Sequence, residues 1–324
     1  MGYRRRNRRD NMPRIKPPAL CPGDTIGVVS PSSYKAPEAL QPGIEKIQRR
    51  GYKLVFGEHA FDRRGYLAGE DRDRAADLNA MFAREDVKAV LCTRGGYGAS
   101  RILDYLDWDT IRAHPKPLIG YSDITTLHIA FLRYTDMVVY HAPMIITLSR
   151  DVSEHAIQNM FDILEKPEPL GTYDTREGNV QTLVPGIAEG ELTGGCLCLV
   201  TATCGTPEQI DAKGKILVIE DVDEAPYAVD RMLTQLKRSG VLDEAAGFVI
   251  GEITDWQKHV SDPAESLTIE QVWQDIIVPL GKPAIIGFPF GHVENPLTLP
   301  LGVRARLDAT AGTLTLLEPA VSKA

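Results

Sequence analysis

Three stretches of this 324-residue chain place residues capable of chemistry directly after apolar runs. In Pro117-Leu118-Ile119-Gly120-Tyr121-Ser122-Asp123-Ile124 a strand-like segment runs into Ser122 and then into a helical pattern. A sharp strand-to-helix turn of this kind lifts a hydroxyl above a sheet and aims the next backbone N–H at a forming oxyanion, as a nucleophile elbow does. The match to G-x-S-x-G is partial, because Ile124 stands at the second glycine position. A Ser-Asp pair ahead of a helix also reads as an N-cap. The second stretch is Arg94-Gly95-Gly96-Tyr97-Gly98, whose glycines permit positive φ and close approach of backbone N–H groups to an anion, or simply a tight turn. It lacks the Lys-Ser/Thr ending of a phosphate-binding loop. The third element is Glu220, closing the strand-like run KILVI, together with His292 in Gly287-Phe288-Pro289-Phe290-Gly291-His292. A serine nucleophile needs a base, and that base needs a group that fixes its tautomer. His128 and His141 could also approach Ser122, whereas His59, His114, His155 and His259 fall in charged segments. His292 is favoured as base by the rigid loop that its glycine, proline and aromatic neighbours suggest.

Metal chemistry is less well supported. Cys196-x-Cys198 with Cys204 lacks a second ligand pair at finger-like spacing and lies in an apolar run, so these cysteines read as buried structural thiols. The acidic cluster Glu220, Asp221, Asp223 and Glu224 lacks the glycine and spacing of a calcium loop. No metal and no cofactor are expected.

The elements that must position these residues alternate. Strand-like runs at 25–29, 53–56, 87–92, 117–121 and 138–140 are separated by helical patterns, which predicts a parallel sheet covered on both faces. Segment 165–186 is rich in proline, glycine and polar residues and reads as a linker. Beyond it, 194–204 is compatible with a buried strand or a buried helix, 215–219 and 247–253 read as strands, and 303–307 and 313–317 alternate with period two, as antiparallel strands do. The expected organisation is a basic tail at 1–14, an α/β domain at 15–165, a linker at 166–186 and a mixed α/β domain at 187–324.

Charge is unevenly spread. Residues 1–16 hold seven basic side chains and one acid, leaving 29 basic against 43 acidic residues in the remainder. A body this acidic repels a phosphate backbone, which argues against nucleic-acid binding by the fold. No apolar run reaches the roughly 18 residues of a membrane span, and prolines and charges follow the tail where an export signal needs its apolar core. Five sparse cysteines fit reduced thiols and a cytoplasmic setting.

Read together, these stretches resemble the LD-carboxypeptidase family of serine peptidases. The resemblance runs from about Ile15 to Glu318 and rests on 22–32 (PGDTIGVVSPS), Arg94–Gly98, 120–125 (GYSDIT), His141-Ala142-Pro143-Met144, 194–197 (GGCL), 220–227 (EDVDEAPY) and 287–292 (GFPFGH). The family's usual HGPM has alanine at its second position here. The resemblance implies Ser122 as nucleophile, His292 as general base and Glu220 as orienting acid, with the backbone of Gly96 and Asp123 as oxyanion hole. Arg94, Gly95, Tyr97 and His141 are the expected substrate contacts. It further implies a flavodoxin-like N-terminal domain, a smaller C-terminal domain, no metal, a homodimer, and a murein tetrapeptide losing terminal D-Ala in peptidoglycan recycling. A branch of the family that cleaves microcin C-type peptidyl nucleotides, and a silent peptide-binding module, are the alternatives.

Overall fold

The computed structural model describes residues 13–323. Most of the expected tail, residues 1–12, lies outside the described residues. Arg14, counted with that tail, belongs instead to the folded body. Its side chain is 6% exposed; Nη1 donates to Leu132 O at 2.6 Å, while Nε and Nη2 donate to Glu191 at 3.1 and 2.8 Å. Arg14→Ala is expected to cost about 2 to 3 kcal/mol, towards the low end because Glu191 keeps some solvent contact. A urea midpoint unchanged from the parent would contradict this.

Short β-branched and apolar runs form β1 (Thr25–Val29), β2 (Lys53–Phe56), β3 (Val87–Cys92), β4 (Leu118–Gly120) and β5 (Val139–His141). They pair in parallel in the order β2-β1-β3-β4-β5, the flavodoxin-like arrangement. In such sheets ligands bind beyond the carboxyl ends of the strands where the strand order reverses, here between β1 and β3. The segments leaving those ends are Ser30–Ser33 and Thr93–Gly98, and β4 next door delivers Ser122.

The second sheet contains β6 (Gly171–Thr172), β7 (Gln181–Val184), β8 (Ile187–Cys196), β9 (Ile216–Val222), β10 (Gly247–Thr254) and β11 (Ala284–Ile286). After β12 (Leu299–Leu301), it is completed by β13 (Arg304–Asp308) and β14 (Thr313–Leu316). Its order is β6-β14-β13-β8-β9-β10-β11-β7, with a parallel centre from β8 to β11 and antiparallel flanks. Two findings differ from the expected organisation. The 166–186 segment is not a plain linker, because it supplies β6 and β7, each paired with a strand far along the chain. Within 187–324, β12 joins the first sheet antiparallel to β5. A chain that leaves the second sheet at Ile286 and enters the first at Leu299 must cross between them, and His292 lies on that crossing.

The two units share apolar packing. Ile216 and Val218 of β9 and Leu307 of β13 belong to the same buried cluster as Val28, Leu91 and Ile119 of the first sheet. A second cluster sits under helices Pro226–Arg238 and Ile269–Ile276, whose Leu233, Leu236, Val272 and Trp273 cover Leu217, Ile219 and Ile250. No helix among the described residues is long and apolar enough to cross a membrane.

Candidate active site

Ser122 opens a short 3-10 turn (Ser122–Ile124) between β4 and helix Thr125–Tyr134, with φ at 64°. Of the four described non-glycine residues with positive φ, the other three are aspartates, which tolerate this region better. Strain held at a serine between a buried strand and a helix matches an elbow. The N-cap alternative is not realised, since no side-chain cap bond closes either helical start. Instead the Ser122 hydroxyl lies 3.1 Å from His292 Nε2.

His292 is fixed from behind. Its Nδ1–H donates to Glu220 Oε2 at 2.7 Å, and its own backbone N–H donates to the same oxygen at 3.0 Å. With Nδ1 committed to a carboxylate, Nε2 is left as the acceptor that faces Ser122. The Tyr121 ring packs edge-on to the imidazole with centroids 4.9 Å apart. Burial alone would pull the His292 pKa down, but the Glu220 charge and hydrogen bond outweigh it and hold it above the ordinary value.

Glu220 is fully buried. It stands within β9, which continues to Val222, and not at the strand's end as the sequence reading had it. Burial pushes its carboxyl up, yet His292 and His141 together hold it below the usual range. His141, at the end of β5, is 1% exposed and points Nε2 at Glu220 Oε1 across 3.6 Å. Neither atom has another partner among the described residues. His141, expected at the substrate, is therefore placed behind the acid, away from the open side of Ser122. His128 lies behind it in turn, its pKa driven well down by burial.

Gly291 shows why the His292 loop has its sequence. Its φ is 80°, and an added Cβ would fall 2.1 Å from Glu220 Cδ. Gly291→Ala must therefore displace the carboxylate that holds His292. A loss of about 100-fold in kcat/KM is expected, because catalytic geometry is sensitive to shifts of about 1 Å; activity within threefold of the parent would contradict this placement.

On the other side of Ser122 stands the glycine turn. A Cβ on Gly95 would lie 2.9 Å from Ser122 Oγ and 3.2 Å from Asp123 N, so only the bare backbone of Gly95 fits beside the hydroxyl and that amide. Ser33, absent from the expected site residues, accepts from Tyr97 N–H at 3.0 Å and donates its own N–H to Gly95 O at 3.3 Å. Ser32 donates to Asp123 Oδ2 at 2.6 Å, and Ala99 N–H donates to the same oxygen at 2.8 Å. The Asp123 side chain thus braces the segments after β1 and β3 against the elbow, leaving its backbone N–H as the group of chemical interest. The signal for this brace was present in Pro31-Ser32-Ser33 directly after β1. Arg94 is half-buried, with Nε donating to Gly95 O and Nη1 to Tyr34 O, and Tyr97 is 48% exposed on the rim. Arg150, also missed, is close enough for its charge to oppose protonation of His292. His59 and His259 pair with Asp62 and Asp223, and His155 meets Asp174 O.

The whole chain can be compared with known proteins on this basis. Residues 26–142 match the LD-carboxypeptidase N-terminal domain and residues 189–307 its C-terminal domain. A probable murein peptide carboxypeptidase of Bacillus subtilis is 42% identical over 312 residues, covering 95% of this chain and 96% of that protein. The microcin C7 self-immunity protein of Escherichia coli is 28% identical, covering 94% and 96%. The crystal structure of a muramoyltetrapeptide carboxypeptidase from Oxalobacter formigenes superposes with a TM-score of 0.80 at 30% identity, over 90% of this chain and 97% of that one. Matches to both domains in chain order, the first containing Ser122 and the second Glu220 and His292, have one consequence: the chain belongs to the LD-carboxypeptidase family of peptidases.

Proposed function

We propose that the chain is a serine-type LD-carboxypeptidase that releases terminal D-Ala from murein tetrapeptides in peptidoglycan recycling. The observation that carries this reading is the continuous relay Ser122 Oγ, His292 Nε2, His292 Nδ1, Glu220 Oε2, with contacts of 3.1 and 2.7 Å. His292 takes the hydroxyl proton as Ser122 Oγ attacks the carbonyl between the L-centre of the third residue and D-Ala. The tetrahedral oxyanion is received by the backbone N–H groups of Gly96 and Asp123, each worth about 3 kcal/mol in comparable sites. His292 returns the proton to the leaving amine, D-Ala departs, and an ester to Ser122 remains. Water, deprotonated by His292, then releases the tripeptide. Arg94, with Gly95 and Tyr97 at the rim, is the proposed contact for the terminal carboxylate.

Glu220 acts by charge as well as position. In Glu220→Gln the amide oxygen can keep both bonds from His292 while its NH2 turns to the unpartnered His141 Nε2. What is lost is the charge that stabilises imidazolium, so a fall of roughly 100- to 1,000-fold in kcat/KM is expected. A base must be neutral to act, so activity falls as pH drops through the His292 pKa. That acid limb, raised by Glu220, should move to lower pH in the variant. An unmoved limb, or a larger loss in Glu224→Gln, would reassign the acid.

Substrate class is tested by offering the purified protein a diaminopimelate tetrapeptide and a peptidyl nucleotide separately and following D-Ala and nucleotide by mass spectrometry. D-Ala release supports the murein reading. Cleavage of the peptidyl nucleotide alone would replace it with an immunity function, and turnover of neither would leave a binding module.

A further inference from the structure

On the far side of Glu220 the chain gathers three potential metal ligands. Cys196 ends β8 as the register partner of Glu220, and Cys198 lies in the first turn of helix Leu197–Ala202. Their sulfurs are 3.4 Å apart, and Asp221 Oδ1 lies 3.3 Å from Cys196 Sγ and 3.8 Å from Cys198 Sγ. From these observations we infer that Cys196, Cys198 and Asp221 form a binding site for a thiophilic divalent cation of the Zn2+ class.

Spacing is the first argument. Zinc bonds of about 2.3 Å to sulfur and 2.0–2.2 Å to oxygen at tetrahedral angles put two sulfurs about 3.8 Å apart and a sulfur and an oxygen about 3.6 Å apart. The separations here, 3.4 Å between the sulfurs and 3.3 and 3.8 Å from sulfur to oxygen, differ from those values by about 0.2 to 0.4 Å, so a cation needs only small shifts. Charge is the second. Among the described residues, the hydrogen-bond partners of Asp221 are the Cys196 and Cys198 thiols and the N–H groups of Cys198 and Val222, with no basic side chain among them. A divalent cation would supply the counter-charge that none of these partners gives the carboxylate. Access is the third: Cys196 and Asp221 are buried, but Cys198 is partly exposed, so the cluster is reached from solvent on its side.

The same surroundings disfavour a redox role for the pair. Thiols that oxidise readily sit beside positive charge that promotes thiolate, whereas this pair faces a carboxylate. On metal binding both S–H bonds break, two S–metal bonds and one O–metal bond form, and two protons pass to water. The site pins β8 to β9 at the register that holds Glu220, and Cys196 N–H also donates to Thr125 Oγ1, at 3.0 Å, on the helix following Ser122.

The test uses the full chain, reduced, stripped by chelator and kept anaerobic, titrated with Co2+. A sulfur-to-cobalt charge-transfer band should saturate at one equivalent and be discharged by Zn2+, with two protons released per Zn2+ in weak buffer. Cys198→Ser should weaken Co2+ binding by at least about 100-fold, beyond the usual cost of losing an outer partner. Cys21→Ser should leave it unchanged. Zn2+ should also protect two wild-type thiols from alkylation, a readout that needs no variant. Absence of the band, its retention in Cys198→Ser, or recovery of the stripped protein with Cys196 and Cys198 already joined as a disulfide would overturn the assignment, the last in favour of a redox pair.

Discussion

Ser122→Ala is expected to lower kcat for D-Ala release by roughly 10⁴- to 10⁶-fold while leaving the fold intact, in line with the loss of a nucleophile from comparable triads. Alanine is no harder to hold at φ 64° than serine, since both carry one Cβ and neither gains from the left-handed region. Only the hydroxyl facing His292 is deleted. Residual turnover of about 10³-fold over water should persist, because the backbone donors beside Gly95 and the proposed peptide contacts at the rim are untouched. Circular dichroism and an unchanged urea midpoint check the fold, and a loss below tenfold would remove Ser122 from the chemistry.

His292→Asn should match that loss, and the double variant with Ser122→Ala should be no slower than either single one. Asparagine is chosen because Glu220 is fully buried and must keep a donor. The shorter amide can replace the Nδ1–H donor to Oε2, whereas nothing replaces Nε2. Alanine would strand a buried carboxylate and mix instability with catalysis. Groups that act as one unit give non-additive losses, so losses that multiply in the double variant would mean that Ser122 and His292 act in separate steps.

Much of this arrangement was legible wherever a local pattern was also the structural cause. β3 falls on Val87–Cys92 because a buried parallel strand is a bare apolar run, and 303–317 forms β13 and β14 because period-two alternation separates a covered face from a wet one. The turn at Ser122 was legible because a strand, a turn residue and a helix follow one another immediately there. Segment 194–204 was ambiguous because it holds both structures. Its change from strand to helix at Cys196 depends on Thr125 receiving the Cys196 N–H and Asp221 receiving the Cys198 N–H, and neither partner is local. β6 and β7 went unseen for a similar reason, since their pairing is supplied by β14 and β11. The placement of His141 behind Glu220, and the gathering of Asp221 with two thiols, arise from ladders that join distant strands. No spacing along the chain encodes them.

Whether peptide cleavage passes through an ester on Ser122 is decided by acid-quenching the first turnover of a diaminopimelate tetrapeptide and mapping the protein by mass spectrometry. A tripeptidyl adduct is expected on the peptide containing Ser122, appearing in step with free D-Ala. Stoichiometric D-Ala release with Ser122 unmodified, and equal release by Ser122→Ala, would contradict it.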